Sequence, residues 1–135
     1  MLLNEDMTQS LARGGLTVPR AHLLWLLHHE GASTQRALAD SLKVTPRNVT
    51  GLVDGLVATG FTTREPHPTD RRATLVSLTE RGQATMSEMD RGHRELAELL
   101  FGGMSARQLG SFASALDEVA SRLREAVRAA HEAGR

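Results

Sequence analysis

Apolar residues recur every three or four positions between residues 44 and 60, which is the spacing of one face of an α-helix. Thr45 can cap the start of this helix, Pro46 suits its first position, and Gly60 suits the left-handed residue that closes it. The pattern therefore predicts a helix over residues 46–59. Its apolar stripe consists of Val49, Leu52, Val53, Leu56 and Val57.

The opposite face of this helix carries an unusual set of polar residues. Its first two turns contain no acidic residue, and they present Arg47, Asn48, Thr50 and Gly51. A solvated helix more often alternates Glu with Lys. Arg, Asn and Thr side chains can read base edges in a DNA major groove, and a glycine allows close approach. The face therefore indicates contact with DNA.

Three further helices are predicted before this one. Residues 2–13 have the spacing of a short helix, and Thr17 can cap a second helix that runs to about His29. This second helix is apolar nearly all round, so we expect it to be buried on several sides. Thr34 can cap a short helix over residues 35–42. Together with helix 46–59 it forms a helix-turn-helix pattern.

After Gly60 the pattern changes from helical spacing to β-forming residues. Residues 61–64 and 73–78 predict two strands, and the charged segment 65–72 lies between them. Pro66 and Pro68 should exclude regular pairing in that segment and stiffen it. The pattern predicts a two-stranded hairpin with a charged tip, which is the wing of a winged helix.

Two long helices are predicted at the carboxyl end of the chain. Thr79 can cap a helix over residues 80–101, and Ser105 can cap the last helix. Both have an apolar seam with coiled-coil spacing. An intramolecular helical hairpin would cover part of this seam, but a homodimer interface is favoured because a winged helix cannot cover both helices. The expected interface residues are Leu109, Phe112, Leu116, Val119 and Leu123.

These elements define the expected fold class and domains. The fold is mainly α with a small β-hairpin wing, a winged helix-turn-helix with long N- and C-terminal dimerisation helices. Residues 16–79 would form the DNA-binding domain, and residues 1–15 and 80–135 the dimerisation region. Such a dimer would match two half-sites about one turn of DNA apart.

Composition narrows the class of protein. The chain has 135 residues and no cysteine, which excludes disulfides, thiolate metal sites and thiol redox sensing. No apolar run approaches a membrane span and no signal peptide is evident, so a cytoplasmic protein is expected. The 16 basic and 16 acidic residues balance. Residues 34–83 hold seven basic and five acidic residues, a surplus of two that predicts modest DNA binding per monomer.

Other groups of residues give weaker evidence of a metal, ligand or catalytic site. The neighbours His28, His29 and Glu30 point to different sides of a helix, so no metal site is expected, and no cofactor is implied. His93 lies on an apolar seam and is expected at an interface. Trp25 is either part of the core or part of a ligand pocket. No catalytic arrangement is evident, so an enzyme is not expected.

Three segments together resemble the MarR family of transcriptional regulators. They are LTVPRAHLLWLL at 16–27, STQRALADSLKVTPRNVTGLVDGLVATGFTTR at 33–64 and DRRATLVSLTERGQ at 70–83. Asp70 and Arg72 match the Asp-x-Arg signature of the family's wing. The resemblance covers residues 16–85 well, whereas the carboxyl-terminal helices match only in pattern.

The resemblance implies a homodimeric regulator of transcription, a repressor or an activator, that binds a pseudo-palindromic double-stranded operator. Helix 46–59 would enter the major groove, and Arg72 would reach the minor groove, held by a charge-assisted pair with Asp70. The amino end of helix 35–42 would meet phosphate. The implied DNA-binding residues are Ser33, Thr34, Gln35, Arg36, Thr45, Arg47, Asn48, Thr50, Gly51, Asp70, Arg71 and Arg72.

The family is often released from DNA by small aromatic ligands. In this chain His22, Trp25 and His29 are the expected pocket residues for such an effector. The alternative function is a metal sensor on the same scaffold, or a protein-interaction module that does not bind DNA. Arg47, Asn48, Thr50 and Arg72 argue against lost DNA binding.

Overall fold

The computed structural model describes residues 14–134, which contain five helices and three strands. The described residues fall into two units, divided between Arg91 and Gly92. The helix predicted over residues 2–13 lies outside the described residues. In chain order the elements are α1 (Val18–Glu30), β1 (Ser33–Thr34), α2 (Gln35–Leu42), α3 (Pro46–Ala58), β2 (Thr62–Pro66), β3 (Thr74–Leu78), α4 (Glu80–Phe101) and α5 (Ala106–Ala133).

The predicted helix caps are present. The Thr17, Thr34 and Thr45 hydroxyls each accept a backbone N–H from the first turn, at 3.4, 3.1 and 3.2 Å. Ser105 forms a reciprocal capping box with Gln108 at the start of α5. Gly60 has a φ of 82°, the left-handed conformation expected where α3 gives way to the next strand. These ends were predictable because each depends on residues within one turn of the helix.

The sheet has three antiparallel strands in the order β1-β3-β2. The predicted two-stranded hairpin is present as β2 and β3, but the third strand was not predicted, since Ser33 and Thr34 pair with Val76 and Leu75. The expectation that residues 65–72 would not pair was wrong at its start. Pro66 ends β2 and stands opposite Thr74. Strand β2 lies at the edge of the sheet. It tolerates this proline because no strand on its open side needs the N–H that proline lacks.

The core of the first unit forms where α1, α3 and the sheet meet. Helix α1 buries Ala21, Leu23, Leu24 and Leu27, as its apolar pattern predicted. The α3 stripe is less uniform than predicted. Val49, Val53 and Leu56 are fully buried, Leu52 is half-buried, and Val57 remains 39% exposed. The other fully buried large side chains are Leu38, Phe61, Val76 and Met86.

The start of α4 is bonded to the end of α3. The Thr79 hydroxyl donates to the Gly60 carbonyl at 2.6 Å, and the Thr79 N–H donates to the Phe61 carbonyl at 3.0 Å. The Arg81 guanidinium donates to the Thr59 carbonyl at 2.9 Å and lies 4.6 Å from the centre of the Phe61 ring. These contacts hold the carboxyl end of α3 against the start of α4.

In the second unit the helices keep apolar side chains at the surface. No residue of α5 is buried within the described structure. The Phe101 and Phe112 rings lie 5.8 Å apart, centre to centre, which joins α4 to α5. The predicted seam is exposed as follows: Leu109 41%, Phe112 46%, Leu116 55%, Val119 61% and Leu123 63%.

Candidate nucleic-acid interface

The outer face of α3 is open. Arg47, Asn48, Thr50 and Gly51 are all exposed. A Cβ added at Gly51 would meet nothing within 4 Å, so a partner can approach the helix backbone there. The Thr45 hydroxyl accepts the Asn48 N–H and so fixes the first turn. Thr45 is therefore a helix cap at the edge of the predicted contact surface.

Arg64 on β2 connects three elements beneath this face. Its Nε donates to Gln35 Oε1 at 2.9 Å, and its terminal nitrogen lies 2.6 Å from Asp54 Oδ1. The same nitrogen donates to the Thr50 carbonyl at 3.4 Å. Gln35 Nε2 in turn donates to Thr50 Oγ1 at 3.3 Å. Two predicted DNA-binding residues, Gln35 and Thr50, are thus already bonded within the protein.

The wing tip is organised by side chains that bond to the backbone. His67 Nδ1 accepts the N–H groups of Thr69 and Asp70 at 3.2 and 3.1 Å, which requires the imidazole hydrogen to be on Nε2. Asp70 Oδ1 accepts the Arg72 N–H at 3.0 Å. The predicted partner of Asp70 was the Arg72 guanidinium, whereas the bond seen here goes to the Arg72 backbone N–H and shapes the turn. Arg72 and Arg71 are exposed.

A cleft of about 560 Å³ separates the wing from the start of α2. The β1–β3 pairing sets Thr34 opposite Leu75, and this brings the two segments to the same edge. Arg36 and Arg72 supply two positive charges to the cleft, against one negative charge from Asp70. The residues that line it are Thr34, Gln35, Arg36, Asp70, Arg72, Ala73 and Thr74.

Arg64 and His67 are the residues of this surface that sequence reasoning missed. One signal for Arg64 was available in the predicted hairpin. Arg64 stands opposite the buried Val76, and cross-strand partners share one face of a sheet. A charged residue on the inward face of a strand needs a partner. His67 gave no such signal, since its bonds depend on the conformation of the turn.

Of the three residues on α1 that were predicted to line a ligand pocket, only Trp25 and His29 lie close together. Trp25 is half-buried against the core, whereas His22 and His29 are exposed. The Trp25 and His29 rings are 4.4 Å apart, centre to centre. Within residues 14–134 no three His, Asp or Glu side chains come together as metal ligands. None of the helices in that range has the length and apolar character of a membrane span.

Helices α2 and α3 with the β2–β3 hairpin define a winged helix-turn-helix protein. The sequence profile of the MarR family matches residues 16–74. YetL of Bacillus subtilis (strain 168), named as an HTH-type transcriptional repressor, is 30% identical over 125 residues, which are 90% of this chain and 74% of YetL. The chain belongs to the MarR family of transcriptional regulators, as the sequence motifs predicted. It spans about half the length of three mycobacterial regulators that it also matches.

Solved structures agree with this fold. RV1404 from Mycobacterium tuberculosis has a TM-score of 0.72 and 28% identity, over 89% of this chain and 84% of RV1404. FabT of Streptococcus pneumoniae, solved in complex with DNA, has a TM-score of 0.72 over 92% of this chain and 94% of FabT. At 19% identity the FabT likeness shows the fold alone. The winged-helix prediction is confirmed.

Proposed function

We propose that this chain is a homodimeric repressor that binds a pseudo-palindromic operator, with α3 in the major groove and the wing in the minor groove. The observation that carries the proposal is the open polar face of α3. Arg47 and Asn48 lie in its first turn, the part of a recognition helix that reaches base edges. Arg can bond guanine and Asn can bond adenine in bidentate geometry.

The cleft between α2 and the wing supports a second contact with DNA. Arg36 on one side of it suits a phosphate of the DNA backbone, and Arg72 on the other side would reach into the minor groove next to that backbone. Arg72 follows a turn held by three bonds between backbone N–H groups and side chains, so the backbone that carries it is already ordered before DNA binds. Arg71 would meet the backbone beside it. The start of α2 at Ser33 and Thr34 would meet phosphate.

The apolar seam of α5 supports the homodimer. Five large apolar side chains between Leu109 and Leu123 are more than 40% exposed. A seam of this length on a water-soluble chain favours burial against a second helix. Two copies would present two α3 helices to two half-sites, and this would add to the modest binding expected per monomer.

Family membership supports the proposed repressor role and the proposed effector. YetL is named as a repressor. A small aromatic effector, such as a phenolic acid, would use Trp25 for ring contact, with His22 and His29 beside it. It regulates only if it binds one spacing of the two α3 helices better than the other. A panel of phenolic acids should therefore change both operator affinity and Trp25 fluorescence. Constant values of both would contradict this effector.

A selection from random DNA duplexes tests the DNA contacts. Arg47→Ala and Asn48→Ala should each relax the preference at one position in each half-site, at a cost of about 1–3 kcal/mol. Arg72→Ala should weaken binding to most sequences and lower the salt slope by about one unit per subunit. Arg107→Ala is the matched control, because it removes an exposed arginine in the unit without the helix-turn-helix.

The two kinds of variant should behave differently. If Arg72→Ala shifts the selected motif while Arg47→Ala and Asn48→Ala leave it intact, the proposed docking is wrong. If the unmutated chain selects no motif, the alternative of a module without DNA binding replaces the proposal.

A further inference from the structure

The hydrogen bonds that begin at Arg64 have a fixed direction. A guanidinium group only donates, so the Gln35 atom that faces it is the amide oxygen. The Gln35 amide nitrogen then faces Thr50 Oγ1 at 3.3 Å and donates to it. The Thr50 hydroxyl places its own hydrogen on the Pro46 carbonyl, at 3.0 Å. These bonds form one chain from Arg64 through Gln35 and Thr50 to the Pro46 carbonyl, called the Arg64 relay here. Arg64 therefore determines the direction in which each donor of the relay points.

This relay changes what Thr50 can offer to a base. A threonine hydroxyl has one hydrogen and two lone pairs. The hydrogen is used on Pro46 and one lone pair accepts from Gln35, so one lone pair and the methyl group remain. In this state Thr50 can accept from the exocyclic amine of adenine or cytosine, but it cannot donate to guanine or to the thymine carbonyl.

The charge of Arg64 is compensated inside the protein. Its side chain is 30% exposed, and its terminal nitrogen lies 2.6 Å from the Asp54 carboxylate. The ion pair also fixes the plane of the guanidinium, so that Nε faces Gln35. Arg64 is thus poorly placed to act as a free phosphate-binding cation and well placed to orient its neighbours.

We propose that Arg64 is a positioning residue for base recognition, acting through Gln35 to hold the Thr50 hydroxyl as an acceptor. This inference rests on the proposed function, because it requires α3 to lie in the major groove. The result is a preference for a base with an exocyclic amine at the position that faces Thr50 in each half-site. Arg64 itself need not touch DNA.

The test is a selection from random duplexes with variants that break the relay at different points. Arg64→Met keeps most of the aliphatic stem and removes every donor, and Asp54→Asn is added so that no carboxylate is left unpaired. Asp54→Asn alone is the matched control, since the asparagine oxygen can still accept from the Arg64 terminal nitrogen and keep Nε facing Gln35. Thr50→Val keeps the shape of the side chain and removes the hydroxyl.

The unmutated chain and Asp54→Asn should select the same motif. The Arg64→Met/Asp54→Asn variant should lose about fivefold in preference for adenine or cytosine at one position per half-site, the equivalent of one hydrogen bond. In a Thr50→Val background the Arg64 change should have no further effect at that position. Gln35→Met should show the same loss of preference for adenine or cytosine. If thermal melting shows that the Arg64 variant is unfolded, the Gln35→Met result tests the inference in its place.

A purely structural role for Arg64 gives a different result. It would weaken binding to all duplexes equally and leave the selected motif unchanged, which overturns the inference while the proposed function stands. A motif change that persists in the Thr50→Val background also overturns it. If the unmutated chain selects no motif, the proposed function fails and this inference fails with it.

Discussion

Two glycines show how a position on the proposed DNA-binding face differs from a position in the packed interior. Gly51 lies on the open face of α3, where an added Cβ would meet nothing within 4 Å. Gly82 lies in the first turn of α4, where an added Cβ would be 2.1 Å from the Phe61 carbonyl oxygen. The first glycine leaves room for a partner, and the second leaves room for the chain itself.

Alanine substitutions should separate these two roles. Gly82→Ala should destabilise the fold by about 1–3 kcal/mol, because the backbone at Phe61 must move. Gly51→Ala should stabilise it by about 0.5–1 kcal/mol through helix propensity, and should weaken operator binding. Chemical denaturation and operator titration measure the two effects. Operator affinity unchanged by Gly51→Ala would show that the α3 backbone does not approach DNA closely.

Residue-level predictions from the sequence succeeded where the cause is local. Thr34 and Thr45 cap helices whose partners are three residues away, and Gly60 closes α3 within its own turn. Arg64 was missed because its partner Gln35 is 29 residues away. Asp70 was placed at the right turn and beside the right residue, but the sequence alone does not show whether it bonds to the Arg72 backbone N–H or to the Arg72 guanidinium.

At the scale of elements, the wing depends on both pairing and turn bonds. Strand β1 has only two residues and no alternating pattern, so it became visible only through its pairing with β3. That pairing brings the start of α2 and the wing to one edge, where Arg36 and Arg72 both line a cleft of about 560 Å³. The position of Arg72 therefore depends on the third strand and on the turn bonds at His67 and Asp70.

Loss of the Asp70 acceptor should loosen the wing without unfolding the domain. Asp70→Ala removes the bond to the Arg72 N–H, worth about 0.5–1.5 kcal/mol, and should weaken DNA binding less than Arg72→Ala does. Asp70→Asn keeps an acceptor oxygen and removes a negative charge, so its DNA affinity should equal or exceed that of the unmutated chain. Operator titration at several salt concentrations compares the three variants. Equal losses in Asp70→Asn and Asp70→Ala would show that charge, not the turn, is what Asp70 supplies.

At the scale of the whole molecule, a chain with no net charge must obtain its DNA affinity from where its contacts are placed. The 16 basic and 16 acidic residues cancel, so the overall field gives little attraction to DNA. Two winged helices held at a fixed spacing would compensate, because the second binding event becomes intramolecular. The sequence predicted the seam for such an assembly from periodicity alone, but periodicity does not identify the partner helix.

The α5 seam should therefore control both assembly and operator affinity. Leu116→Arg or Leu123→Arg would bury an unpaired charge in the interface, at a cost of several kcal/mol, and should shift the chain from dimer to monomer. Ser114→Arg adds the same charge on the other side of α5, close to half a turn away from Leu116, and should leave the dimer intact. Sedimentation velocity at micromolar concentration measures the change, and operator titration should show weaker binding only in the monomeric variants. A well-folded monomer from the unmutated chain at that concentration would rule out the homodimer. The seam would then belong to an intramolecular arrangement of the helices.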